Sequence, residues 1–144
     1  MKRSKRLKPV VRVAESREQQ AARALGEAQT RLAQAKQQLE ELCQYRADYG
    51  RRLQQAGASG MGAARLDDYQ QFLHKLGQAI EQQTRTIAQA AREVEERRSQ
   101  WYILRGKVRM LDTVVCRYQD AEERQALRKE QQEQDERAQR RGGS

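Results

Sequence analysis

Residues able to do covalent chemistry are few in this chain and badly placed for it. His74 is the single histidine, so a histidine-based metal site or a Ser-His-Asp triad lacks its parts, and the residue reads as a surface imidazole. Cys43 and Cys116 have no paired spacing, which suits a reducing compartment better than a disulfide framework. Asp67 and Asp68, like Glu95 and Glu96, are adjacent in sequence and therefore point apart on a helix. They read as a helix-start signal and a solvated face. Gly57, Gly60 and Gly62 could let a phosphate approach the backbone, but no Lys-Ser or Lys-Thr follows them, so they read as a turn. No catalytic residue, metal ligand or cofactor is expected, and the chain does not read as an enzyme.

The elements available to carry any site are helices. Leu, Val, Ile and Phe make only 23 of the 144 residues, too few for an ordinary globular core. Ala, Gln, Leu, Glu, Lys and Arg make 96 of 144, and the sole proline is Pro9. Such a composition gives long helices or disorder, and excludes Rossmann, barrel and sandwich folds. Periodicity decides between the two. Over 7–56, positions spaced alternately by three and four are apolar at thirteen of fifteen sites, including Ala21, Leu25, Leu32, Leu39 and Leu42; Glu18 and Arg46 are the exceptions. Over 66–118 the count is fourteen of sixteen, including Leu76, Ile80, Ile87, Val94, Trp101, Leu104, Val108 and Leu111, with Gln83 and Arg97 as the exceptions. Disordered polar sequence does not sustain a seam like this.

The glycine cluster sets the loop, expected over 57–65, and two arms of roughly 75 Å each must then fold back on one another. The predicted fold is all-α, a long two-helix antiparallel coiled-coil hairpin over 9–118. Pairing Ala56 with Leu66 places small against large residues along the seam, with Ala21 facing Trp101 and Ala35 facing Ile87. Residues 1–8 form a basic arm: the first twelve residues carry six of the nine net positive charges. Residues 119–144 form a polar tail, helical or frayed. No apolar run follows the basic start, so neither a signal peptide nor a membrane span is expected, and a cytoplasmic protein is.

One cluster breaks the pattern of a bare hairpin. Gln38 and Tyr45 flank the seam beside Leu42 and Tyr49, while Phe72 and Ala79 flank it beside Leu76. The proposed register puts all seven on one side, near the loop. Two aromatic rings there either lie over the seam edge and extend the core, or form a docking patch for another protein.

The segments Leu42-Cys43-Gln44-Tyr45-Arg46-Ala47-Asp48-Tyr49 and Tyr69-Gln70-Gln71-Phe72-Leu73-His74-Lys75-Leu76, continued through Ala79-Ile80-Glu81-Gln82, resemble the flagellar type III export family FliJ. The start Lys5-Arg6-Leu7-Lys8-Pro9 and the Ala-rich stretch 18–29 are similar to it as well. The resemblance implies a non-enzymatic stalk-like coiled coil, peripheral to the inner face of the cell membrane at the flagellar base. It implies that the terminal end of the hairpin meets the hexameric ring of the export ATPase FliI. It further implies that Gln38, Leu42, Tyr45, Tyr49, Phe72, Leu76 and Ala79 dock on the cytoplasmic domain of the export gate protein FlhA, and that export chaperones are further partners. Gln83, one turn after Ala79, departs from the imidazole or similar residue of the family pattern. Other readings of the same shape are a central-stalk subunit of a rotary ATPase, a virulence-type secretion stalk, or a basic coiled coil on nucleic acid; with the excess charge confined to the first twelve residues, no nucleic-acid partner is expected.

Overall fold

The structure, a computed structural model, describes residues 1–60 and 62–143. It is all-α: α1 spans Arg3–Ala58 and α2 spans Ala63–Gly142, and they pack against each other as a two-helix hairpin. No helix among the described residues is long and apolar enough to cross a membrane. The chain clusters into two compact units. The first joins Met1–Ala21 to 100–144, and the second is Ala22–Ser99.

The helices turn sooner than expected. Ala58 and Ala63 are helical, so the break is shorter than 57–65. Alanine is the best helix former and extends each end until a residue must leave the helical basin. Gly60 does so at φ +82°, a backbone state that costs glycine nothing, while the Ser59 hydroxyl and amide both donate to the Gln55 carbonyl. Met61, within the expected loop, and Ser144, at the end of the tail, lie outside the described residues.

The second unit has its core where two helices come close. Ala28, Ala35, Leu76 and Val94 are buried, and Leu25, Leu32, Leu39, Ile80, Ile87 and Ala90 are half-buried. Half-burying a Leu or Ile contributes roughly 1 kcal/mol, so stability is spread thinly along the seam. The helices run antiparallel: Arg31 pairs with Glu93 at 2.8 Å, and further on the Tyr49 ring meets Tyr69 and Phe72. The polar seam residue Gln83 is satisfied across the pair, its amide donating to the Ala35 carbonyl at 3.0 Å and to Gln38 Oε1 at 3.1 Å. Each contact falls within one helical turn of the register that sets Ala56 level with Leu66.

The first unit is antiparallel too, from Ser4 against Glu122 to Glu18 against Trp101. Leu7, Val11, Ala14, Ala21, Leu104, Val108, Leu111 and Val115 are half-buried. Trp101, expected to face Ala21, sends its Nε1–H one turn earlier, to Glu18 Oε1 at 2.8 Å. An indole N–H inside a helix pair needs an acceptor, and the carboxylate at an otherwise apolar position provides one.

The basic segment 1–8 is not set apart from the hairpin. α1 begins at Arg3 and passes through Pro9, although an interior proline costs about 3 kcal/mol. Its first turn holds no acid and is strongly basic, the wrong charge for the positive end of a helix dipole. Glu122 from α2 supplies the missing acid. Its carboxylate accepts the Ser4 amide at 3.2 Å and the Ser4 hydroxyl at 2.7 Å, and Ser4 is buried. Arg3 adds a guanidinium 5.7 Å from the Tyr118 ring centroid. α2 then continues through 123–142 as an exposed helix with two arginines in its last turn, at the end that favours cations.

Candidate interaction surface

The loop-proximal cluster lies in the second unit. Tyr49, half-buried at the seam, is its centre: its ring is 4.4 Å from that of Phe72, with 32° between planes, and 6.0 Å from that of Tyr69. The Arg52 guanidinium lies 5.5 Å from the same ring. Offset aromatic pairs at such distances add about 0.5–1.5 kcal/mol beyond their area. Phe72 is thus tied to the opposite helix while still 39% exposed. Tyr45 behaves differently. Its ring is 60% exposed and borders a shallow groove with Glu41, Gln44 and Asp48. The structure therefore separates two rings that look equivalent in the sequence: Phe72 extends the packed edge of the seam, and Tyr45 projects from it.

The remaining members of the cluster divide in the same way. Leu76 is buried, so it supports the surface from beneath and offers a partner little area. Leu42 and Ala79 are half-buried, and Gln38 is exposed but held by Gln83. Tyr69, Arg52 and Gln83 join the cluster through these contacts. Of these three, Tyr69 and Gln83 carry a signal in the sequence, as an aromatic and a polar residue at seam positions, and Arg52 carries none.

His74 is exposed beside Gln70, Gln71, Lys75 and Gln78. Asp67 accepts the Gln71 amide at 3.3 Å, and Glu95 pairs with Arg98 at 3.0 Å. Cys43 and Cys116 are free thiols. Among the described residues, no three His, Cys, Asp or Glu side chains gather closely enough to hold a metal ion.

The family model for the flagellar FliJ protein matches residues 3–143, nearly the whole chain. The chain belongs to the FliJ family. It is 31% identical over 128 residues to the flagellar FliJ protein of Salmonella typhi, covering 89% of this chain and 87% of that one. To the flagellar FliJ protein of Escherichia coli (strain K12) it is 30% identical over the same length and shares. Membership makes it a flagellar, export-related protein. The match spans both units, so the aromatic cluster and the capped N-terminal turn both lie inside the family region.

The first unit carries a second surface that the seam pattern does not reveal. Pro9, Val10, Val13, Ala14 and Arg17 of α1 and Leu104, Lys107, Met110 and Leu111 of α2 line an open groove of about 480 Å³. Val10, Val13 and Met110 sit outside the alternation that defines the seam. Large apolar residues at such positions are the signal for it in the sequence.

Proposed function

We propose that this FliJ-family chain is a non-catalytic coupling element of flagellar protein export, joining the export ATPase to the membrane export gate. The second unit presents the gate-docking surface: Tyr45 is the exposed anchor, Tyr49 and Phe72 form the rigid edge beside it, and Gln38, Leu42 and Ala79 complete the patch, with the buried Leu76 supporting it from beneath. The observation that carries this reading is the exposed Tyr45 ring, one turn along α1 from Tyr49, whose own ring is held 4.4 Å from that of Phe72, since tyrosine is enriched among interface hot spots. Gln83, the departure from the family pattern, closes the patch edge by bonding Gln38 and leaves the aromatic centre free.

The first unit, which holds both chain termini, is the segment assigned to the ATPase ring FliI, and export chaperones are handed on by the same protein. Its place is the cytoplasmic face of the membrane at the flagellar base, held there by the gate protein FlhA. Pull-down of the full chain against purified ATPase and against the cytoplasmic domain of the gate tests the proposal. Capture of both supports it; capture of neither, by a chain of full helicity, overturns it.

A further inference from the structure

The groove in the first unit is apolar where a soluble helix pair is normally polar. Val10 is 48%, Val13 52% and Met110 60% exposed, and Pro9 adds an apolar ring on the same face. On α1, Val10, Val13 and Arg17 follow one another at three and four residues; on α2, Leu104, Lys107 and Leu111 do the same. The groove is therefore about two helical turns long and lies between antiparallel helices. That is the shape which receives the i, i+3, i+4, i+7 face of a third helix. Its charge is one-sided: Arg17 and Lys107 are lining residues, and no acidic residue lines it.

We infer that this groove binds an amphipathic helix of another protein, one whose apolar face is flanked by acidic residues. This goes beyond the assignment of the first unit to the ATPase, and it holds whichever export component brings the helix. A second copy of the chain is a poor occupant, because it would set Arg17 and Lys107 against the same cations on a molecule of net charge +9. A lipid surface is a poor one too, because a flat bilayer leaves a concave groove unfilled.

The probe is a labelled 18-residue helical peptide with leucine at i, i+3, i+4 and i+7, two glutamates flanking that face and alanine and glutamine elsewhere, titrated against the full chain by fluorescence anisotropy. The peptide should bind at micromolar concentration, and its lysine-for-glutamate counterpart should bind at least about tenfold more weakly. Val13→Glu and Met110→Glu change exposed side chains, so helicity by circular dichroism should be retained while peptide affinity falls about tenfold or more. Lys107→Glu, which sets an acid beside the remaining Arg17, should remove most of the preference between the two peptides. Equal binding of the acidic and basic peptides overturns the inference, as does binding indifferent to all three variants, or none at 100 μM. Dimerisation of the wild-type chain that Val13→Glu abolishes would assign the groove to a second copy and overturn it. So would Val13-dependent binding to phosphatidylglycerol vesicles by a chain that ignores the peptide.

Discussion

The Trp101 indole donates its Nε1–H to Glu18 Oε1 at 2.8 Å, joining α2 to α1 inside the first unit. Arg105 lies over the same indole at 5.0 Å from its centroid, so the ring is held by an acceptor at its edge and a cation at its face. A charge-assisted hydrogen bond in a half-buried seam contributes about 1 kcal/mol after exposure is allowed for. Trp101→Phe and Glu18→Ala should therefore be non-additive in urea unfolding, with a coupling of about 0.5–1 kcal/mol. Strict additivity would mean that the two side chains act separately.

The capped start of α1 gives the chain a pH dependence. The Glu122 carboxyl is held below its ordinary range, chiefly by the Ser4 hydroxyl, then by the Ser4 amide and the nearby charge of Lys2, with partial desolvation opposing them. A carboxyl lowered in the folded state contributes stability that is present above its unfolded value. That stability is lost as pH falls through the lower folded one. Exchange of the Ser4 and Arg6 amides should thus be protected at neutral pH and speed up as pH falls below about 4.5, beyond the intrinsic change in exchange rate. Glu122→Gln should show the weaker protection already at pH 7. Identical protection in the two proteins would remove Glu122 from the cap.

The separation of the two loop-proximal rings predicts unequal effects on stability. Phe72→Ala breaks the 4.4 Å stack on Tyr49 and should cost about 1–2 kcal/mol in chemical unfolding. Tyr45→Ala truncates an exposed ring and should stay within about 0.5 kcal/mol of the wild type. Equal losses would place Tyr45 in the packed edge as well.

The hairpin itself is legible in the sequence, because seam alternation and a glycine break are local and redundant. A few departures such as Arg46 leave the period intact. What stays hidden depends on which side chains reach across. Local signals at the N-terminus argue against helix: a basic first turn and Pro9 favour an arm that precedes the hairpin. A carboxylate 118 residues away accepts the donors of the first turn, and in the sequence that glutamate looks like any other polar residue of the tail. Glu18 and Gln83 stand out as polar interruptions of the seam, but their partners depend on side-chain reach of a few ångströms, finer than a heptad pattern resolves. The two rings of the aromatic cluster look alike in that pattern, since both Tyr45 and Phe72 flank it. Only the stack on Tyr49 tells them apart.

The most direct test of the coupling role is the affinity of the gate's cytoplasmic domain for the wild-type chain and for Tyr45→Ala, measured by isothermal titration alongside affinity for the export ATPase. Tyr45→Ala should retain full helicity, lose about 1–2 kcal/mol of gate binding and leave ATPase binding unchanged, because Tyr45 lies in the second unit and the ATPase is assigned to the first. Unchanged gate affinity, or loss of ATPase binding with gate binding intact, would contradict the account.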